Sequence, residues 1–185
     1  MKVETTAIPG VIIIEPRAFS DERGMFFETW SQARYAQAGV PEKFVQDNVS
    51  RSTRGVLRGL HYQQPNAQGK LLSVLDGEIF DVAVDIRQGS PTFKQWVGVT
   101  LSAESRRQLY VPAGFAHGFQ AMSANATVLY KCTEYYDHAS ELSVCWSDDQ
   151  LTIPWSLPPI LSDKDRDAPL LRDIPKGRLP QFTPT

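Results

Sequence analysis

The feature that most constrains the fold is a series of short alternating apolar and polar runs, each bounded by turn residues. In FDVAVDIR, residues 80–87, the apolar side chains at 80, 82, 84 and 86 fall on one strand face and Asp81, Ala83, Asp85 and Arg87 on the other. Further strands are predicted for LLSVL, EIFDV, QWVGVTL, RQLYV, HGFQAM, TVLYKCTEYY and SVCW. Such spacing is typical of an all-β sandwich or barrel.

Turn and capping residues predict how these strands are joined. Asp76-Gly77, between LLSVL and EIFDV, favours a two-residue hairpin turn. Helix signals are few. Residues 31–39 start at a serine and end at Gly39, and SDKDRDAPLL, residues 162–171, starts with a serine three positions before an acid, as in a capping box. We therefore expect a mainly β chain with a few short helices, one of them near the C-terminus.

Size and composition indicate a single globular domain. The chain has 185 residues, of which 42% are apolar and 22% charged. We expect one domain over 1–185, with a core from about 3 to about 171 and a C-terminal tail, 172–185, that contains three prolines and trails over the surface. No apolar run is long enough for a membrane span, and the N-terminus has no signal-peptide pattern.

Charge and cysteine content limit the classes of binding partner and the cellular compartment that we expect. The net charge of −2 argues against general nucleic-acid binding, although a local basic cluster can still hold a phosphate. Cys132 and Cys145 form no CxxC pair. This favours two reduced thiols in a cytoplasmic protein, with a disulfide as the less favoured alternative.

The three histidines raise the question of a metal site. His61 lies in LRGLHYQ, His117 in PAGFAHGF and His138 in YYDHAS, so no two are spaced as ligands on one strand. A metal would need histidines from distant strands together with a carboxylate. The local pattern does not require one.

Three side chains are candidates for proton transfer. His61 shares a strand face with Gln63, opposite Leu60, and is either a proton-transfer base or a histidine bonded to a backbone carbonyl. Tyr130 is a general acid or a core tyrosine whose hydroxyl is satisfied at a barrel mouth. Asp165 is a helix-start acid or a carboxylate that orients a histidine.

A loose basic set could bind phosphate groups. Its members are Arg23, Arg51, Arg54 and Arg58, which lie among turn residues, and Lys70 has the same ambiguity. Arginine binds a diphosphate through bidentate hydrogen bonds, but a solvated surface set is the commoner outcome for such residues.

Taken together, the motifs resemble those of the dTDP-4-dehydrorhamnose 3,5-epimerases. The resemblance extends from about residue 3 to about residue 171 and rests on DERGMFFETW, FVQDNVSRS, GVLRGLHYQ, NAQGKL, GEIFDVAVDIRQGSPTF, LYVPAGFAHGF, LYKCTEYY and LSDKDRDAPLL. It implies a cupin-like jelly-roll β-sandwich that forms a homodimer with exchanged N-terminal strands. It also implies a dTDP-sugar substrate and a site with no metal or other cofactor.

The same resemblance assigns roles to single residues. It implies that His61 is the base, that Asp165 is its carboxylate partner and that Tyr130 is the acid. It places Lys70 beside the sugar keto group and Arg58 near the phosphates. Other residues of the substrate site would be Arg23, Glu28, Gln46, Asn48 and His117, with Tyr135 and Tyr136 near the nucleotide end.

Three alternatives remain open at this point. The first is a related epimerase that inverts only C3 or only C5 of a similar deoxysugar nucleotide. The second is a metal-dependent cupin oxygenase or isomerase, and the third is a non-catalytic sugar- or nucleotide-binding module. Product stereochemistry, bound metal and solvent exchange of the sugar hydrogens distinguish them.

Overall fold

Strands dominate the computed structural model, which describes residues 1–40 and 43–184. The strands are β1 Lys2–Thr5, β2 Ile12–Glu15, β3 Ala18–Asp21, β4 Gly24–Phe27, β5 Gln46–Thr53, β6 Leu57–Gln63, β7 Lys70–Asp76, β8 Glu78–Asp85, β9 Trp96–Ser102, β10 Gln108–Val111, β11 Phe115–Ala121, β12 Asn125–Cys132 and β13 Glu141–Ser143. The helices are α1 Gln32–Gln37 and α2 Asp163–Arg166, and 3-10 turns follow at Leu171–Asp173 and Lys176–Arg178. None of the helices in the described part of the chain is long and apolar enough to span a membrane.

Two antiparallel sheets pack face to face. One has six strands in the order β1-β2-β10-β7-β12-β5, and the other has five in the order β13-β6-β11-β8-β9. Strands β3 and β4 form a separate hairpin. The predicted mainly-β sandwich is confirmed.

The alternation in β8 is confirmed, and both of its faces are buried. Val82 and Val84 pack on the outer side of the five-stranded sheet, under residues from the C-terminal third such as Leu151 and Leu171. The opposite face of β8, which includes Ala83, points into the space between the sheets, where the central core lies. An apolar outer face leaves the inner face free to carry polar groups, which is unusual for a sandwich strand.

A third apolar cluster covers the outside of the six-stranded sheet. Tyr35 of α1 is buried there against Ile14 and Leu71, and its hydroxyl donates to Gln108 Oε1 at 2.7 Å. The predicted helix at 31–39 is confirmed, with Ser31 at the N-cap and Gly39 in the left-handed region at φ +94°.

The predicted Asp76-Gly77 hairpin is wrong. Gly77 does have a positive φ of +77°, but β7 belongs to the six-stranded sheet and β8 to the five-stranded one. The turn therefore carries the chain from one layer to the other. Local sequence specifies the bend, whereas the strand that pairs with EIFDV is set by the packing of distant residues.

The C-terminal region also differs from expectation. The predicted helix at 162–171 is limited to α2, because Pro169 disfavours helical backbone at the residue before it. The tail does not trail over the surface. Ile174 and Leu179 are buried against the outer face of the five-stranded sheet, and the Phe182 N–H donates to Gln88 O at 2.9 Å.

Candidate active site

A cavity of about 630 Å³ opens between the two sheets, a size usual for small-molecule sites. Nine of the predicted site residues line it: Gln46, Asn48, Arg58, His61, Lys70, His117, Tyr130, Tyr136 and Asp165. They come from both sheets, from α2 and from the loop between β12 and β13. The fold thus gathers residues that are up to about 120 positions apart in sequence.

His61 and Asp165 are in direct contact. The imidazole on β6 donates from Nε2 to Asp165 Oδ1 at 2.5 Å, which leaves Nδ1 as the ring nitrogen that Asp165 does not engage. The His61 side chain is 26% exposed and that of Asp165 only 5%. The Asp165 carboxylate is thus buried behind the His61 ring, and that ring is accessible from the cavity.

The cap of α2 fixes the carboxylate of Asp165. The Ser162 hydroxyl accepts the Asp165 N–H at 3.2 Å and donates to Asp165 Oδ2 at 2.9 Å. Both readings of Asp165 are therefore correct, since the acid that completes the capping box also holds a histidine. Next to it, Lys164 Nζ pairs with Glu141 Oε1 of β13 at 2.7 Å, which ties α2 to the five-stranded sheet.

Burial and charge act in opposite directions on this pair. Burial lowers the pKa of His61, and the bond and charge of Asp165 raise it but do not fully offset burial. Burial raises the pKa of Asp165, yet its bonds to His61 and Ser162 outweigh burial and hold that pKa below its usual range. At neutral pH the site therefore holds a neutral imidazole on an ionised carboxylate, which is the state a base needs.

The opposite wall carries Tyr130, Lys70 and Cys132. Tyr130 and Cys132 project inward from β12, where Cys132 is the register partner of Lys70 on β7. Burial raises the pKa of the Tyr130 phenol, so the phenol keeps its proton at neutral pH. Burial lowers the pKa of the Lys70 ammonium. A protonated acid thus faces the histidine from the other sheet.

A second histidine–carboxylate pair lies beside the first. His117 on β11 is the register partner of His61, and its Nε2 lies 2.9 and 3.1 Å from the two carboxylate oxygens of Asp81 on β8. Asp81 is fully buried and the His117 side chain is 9% exposed. This pair is more enclosed than the pair formed by His61 and Asp165.

A close approach of two glycines makes this arrangement possible. Gly59 precedes His61 by two residues and has φ +119°. A Cβ there would lie 2.6 Å from both Gly118 Cα and His117 O, and a Cβ on Gly118 would lie 2.7 Å from Arg58 O. With no side chains at these points, β6 and β11 can approach at the bulge between His117 and Phe119.

Polar and aromatic groups form the mouth of the cavity. Arg58 Nε donates to Ser52 Oγ at 3.0 Å. Gln46 Oε1 accepts the Tyr136 N–H at 2.9 Å, and its amide donates to Asn48 at 3.0 Å. The Tyr136 ring is largely exposed. The mouth therefore combines a guanidinium, amides and an accessible aromatic ring.

Three predicted site residues lie away from this cavity. Arg23 is at the β3–β4 hairpin and bonds to Asp21, while Glu28 pairs with Arg34. Tyr135 is 63% exposed and is not among the lining residues. Of the loose basic set, only Arg58 lines the cavity in the described part of the chain.

Some residues of the site were missed in the sequence. Glu141, Lys164 and Gln68 line the cavity, and Asp81 holds His117. Asp81 had a usable signal, because it is a carboxylate inside an apolar strand and therefore needs a buried partner. Glu141 and Lys164 had none, because charged residues near a turn and on a short helix are usually solvated.

No group of three or more His, Cys, Asp or Glu side chains is arranged to hold a metal ion within residues 1–40 and 43–184. The cavity has a carboxylate-bound imidazole on one wall and a protonated phenol and an amine on the other. It can remove a proton from one face of a bound molecule and return one to the other face.

Comparison with known proteins agrees with this geometry. The family model described as dTDP-4-dehydrorhamnose 3,5-epimerase matches residues 5–173. A protein of that name from Pseudomonas aeruginosa is 54% identical over 176 residues, which cover 94% of this chain and 97% of the relative.

Solved structures agree as well. The crystal structure of dTDP-6-deoxy-D-glucose-3,5-epimerase from Legionella pneumophila Philadelphia 1, in complex with dTDP-4-keto-L-rhamnose, has a TM-score of 0.97 and 53% identity and covers 99% of each chain. ChmJ, a 3'-monoepimerase from Streptomyces bikiniensis in complex with dTDP-quinovose, has a TM-score of 0.89 and 37% identity, over 95% of this chain and 91% of its own. On the family match and the identity to these relatives, the chain belongs to the dTDP-4-dehydrorhamnose 3,5-epimerase family.

Proposed function

We propose that the protein inverts C3 and C5 of dTDP-4-dehydro-6-deoxy-D-glucose and gives dTDP-4-dehydro-L-rhamnose, a step in dTDP-L-rhamnose synthesis. The observation that carries the proposal is the His61–Asp165 pair facing Tyr130 across one cavity. The 54% identity to the Pseudomonas 3,5-epimerase supports the choice of substrate.

The substrate's own ketone makes the reaction possible. The C4 carbonyl acidifies the hydrogens on C3 and C5. His61 takes one of these protons, and the C–H electron pair moves into an enolate on O4. Tyr130 then protonates the same carbon from the opposite face, which inverts it. Exchange with water returns His61 and Tyr130 to their starting states, so no redox cofactor or metal is needed.

Lys70 is proposed to stabilise the enolate. Its amine lies in the same wall as Tyr130, one strand away, where it can donate to O4. A well-placed donor at a developing oxyanion is worth about 10²–10³ in rate. Arg58, Gln46, Asn48, His117 and Tyr136 are proposed to bind the diphosphate, sugar and base, because they line the remainder of the cavity and its mouth.

The alternative is inversion at one carbon, which is favoured by the likeness to the 3'-monoepimerase. Proton NMR of the ketosugar nucleotide and enzyme in deuterated water separates the two. The double epimerase replaces the hydrogens on both C3 and C5 and inverts both centres. Exchange and inversion at one carbon alone would overturn the proposal in favour of the monoepimerase.

We also propose a homodimer in which β3 and β4 contact the second copy. This hairpin carries Phe19, Met25 and Phe26, which are 54%, 48% and 71% exposed. Exposed apolar clusters of this kind are typical of interfaces. Arg23 and Glu28 lie on or next to the same hairpin, away from their own cavity, and are proposed to complete the cavity of the partner. A sedimentation mass of one chain would contradict the dimer.

Two free cysteines and a nucleotide-sugar substrate support a cytoplasmic location as part of the proposal. Fractionation of cells that express the full chain tests it.

A further inference from the structure

Gln63 lines the cavity, but its side-chain amide is used within the protein. It lies two residues after His61 on β6 and is only 4% exposed. Its Nε2 group donates to Asn66 O at 2.7 Å and to Tyr135 O at 3.2 Å. Its Oε1 atom accepts the Asp137 N–H at 2.9 Å. A primary amide has two N–H groups, so both donors of Gln63 are engaged by backbone oxygens.

These bonds bracket Tyr136 in the loop between β12 and β13, residues 133–140. Gln63 binds the peptide oxygen of Tyr135, just before Tyr136, and the N–H of Asp137, just after it. The N–H of Tyr136 itself donates to Gln46 Oε1 at 2.9 Å. Three successive residues of this loop are therefore held by side-chain amides from β5 and β6, one strand in each sheet.

The Tyr136 side chain is held at its far end as well. Its hydroxyl donates to Glu141 Oε2 at 3.2 Å and lies 3.2 Å from His138 Nδ1. Glu141 on β13 is the register partner of Gln63 on β6, so two neighbouring residues hold the backbone and the hydroxyl of one tyrosine. Tyr136 is still 52% exposed and lines the cavity. It is thus a fixed aromatic surface that a ligand can contact.

We propose that Gln63 is a positioning residue for the ligand, which acts through Tyr136 by holding the loop 133–140 in the conformation that binds. A loop that is ordered before binding raises affinity, because the cost of ordering it is not incurred on binding. The identity of the ligand as a dTDP-sugar rests on the proposed function, whereas the hold of Gln63 on the loop does not.

Amide hydrogen exchange measured by NMR tests this hold without any ligand. Gln63→Met keeps the length of the side chain and removes its amide. The Tyr136 N–H, which Gln63 does not bind directly, is expected to exchange at least about tenfold faster in this variant, because the loop opens more often. Amides in β8 report global unfolding. An equal acceleration in β8 would mean general destabilisation and would contradict a specific hold on the loop.

Gln108→Met is the matched control. Gln108 is also a buried strand glutamine, 1% exposed, and its amide donates to Thr29 O at 2.9 Å and to Ser73 Oγ at 2.7 Å. It faces Tyr35 of α1 on the outer side of the six-stranded sheet, away from the cavity. Its substitution is expected to lower the melting temperature and to leave both the Tyr136 exchange rate and the ligand affinity unchanged.

Ligand affinity is the second readout. The probe is dTDP-glucose, which has no C4 ketone and therefore binds without reacting, and its Kd is measured by titration calorimetry. Gln63→Met is expected to weaken binding about tenfold in the otherwise wild-type chain. In a Tyr136→Ala background the same substitution is expected to change Kd less than about twofold, because two residues that act through one contact are not additive.

The two readouts separate the inference from the proposed function. A wild type that does not bind dTDP-glucose would contradict the proposed substrate, and the exchange rates would still decide whether Gln63 holds the loop. An unchanged Tyr136 exchange rate in folded Gln63→Met would overturn the inference. Where the ligand binds, full additivity of the Gln63 and Tyr136 substitutions would overturn it too.

If Gln63→Met does not fold, Gln63→Glu decides instead. The glutamate keeps an acceptor for the Asp137 N–H and loses the donor to Tyr135 O. The Tyr136 N–H is then expected to exchange faster than in the wild type, and a wild-type rate would contradict the proposed hold.

Discussion

His61, the proposed base, shows how two opposing effects set the pKa of a single residue. Burial lowers its pKa, and Asp165 counteracts part of that shift. A base works only when neutral, so activity is present above the pKa of His61 and is lost as the pH falls through it. Because the pKa of His61 lies below the ordinary value for histidine, the acid limit of activity in the free enzyme is expected below that ordinary value.

Asp165→Asn removes the carboxylate charge that raises the pKa of His61. The acid limit of kcat/KM is expected to move to lower pH, while the maximal rate falls by roughly 10²–10⁴, the usual contribution of a general base. The measurement is a pH–rate profile. Asp163→Asn, an exposed carboxylate on the same helix, is the control and is expected to keep the wild-type profile. An acid limit at the wild-type pH would mean that the Asp165 charge does not control the pKa of His61.

At the scale of elements, the site depends on β6 and β11 lying unusually close. Gly59 and Gly118 meet where a Cβ on either would collide with backbone. This contact sets the spacing of His61 and His117, which are register partners on the two strands. The C-terminal segment covers the outer side of the same sheet, whereas α2, whose Lys164 and Asp165 line the cavity, brings Asp165 to His61.

Gly59→Ala is expected to destabilise the protein by more than about 2 kcal/mol, because the new Cβ meets backbone and the residue has a positive φ. Gly177→Ala introduces the same group where nothing lies within 4 Å, and its effect is expected to be within about 0.5 kcal/mol. Thermal or urea unfolding of the two variants checks this. Equal stabilities would mean that the strands separate at little cost.

At the scale of the whole molecule, the proposed dimer explains why Arg23 and Glu28 lie outside their own cavity. The β3–β4 hairpin extends as a separate two-stranded sheet with exposed aromatic side chains. If it reaches a second copy, each cavity contains residues from two chains. Catalysis would then require the assembled pair.

Mixed dimers test this sharing of residues. A His61→Ala chain and an Arg23→Glu chain, each inactive alone, are co-expressed with different tags. If Arg23 acts in the partner's cavity, each mixed dimer has one intact site, and random pairing restores about a quarter of the wild-type sites. If Arg23 acts in its own chain, no site is restored and the mixture stays inactive.

The sequence predicted the fold class and the residues that meet in the cavity better than it predicted connections. Alternation in FDVAVDIR correctly separated the face of Val82 from that of Asp81, and the motif resemblance brought His61 and Asp165 together across 104 positions. The Asp76-Gly77 turn was misassigned, because a bend of this kind suits both a hairpin and a change of sheet. Packing of the tail could not be foreseen either, since Ile174 and Leu179 become buried only against a face formed by distant strands.

The partners of the buried charged residues also could not be predicted from the sequence. Asp81 is a polar residue on an inward face, but its pairing with His117 depends on the register of β8 and β11, which puts Phe119 opposite Asp81 and His117 diagonal to it. Likewise, Glu141 meets Lys164 only because α2 packs near β13. Such contacts arise from tertiary structure and leave no local pattern.

In the proposed mechanism, His61 and Tyr130 act on one bound sugar from opposite walls. The direct measurement is proton NMR of the ketosugar nucleotide in deuterated water with the wild type, His61→Ala and Tyr130→Phe. We expect exchange and inversion at C3 and C5 with the wild type, and neither with His61→Ala. With Tyr130→Phe we expect exchange to continue and inversion to slow by roughly 10²-fold or more. Wild-type exchange by His61→Ala, or inversion at the wild-type rate by Tyr130→Phe, would contradict this mechanism.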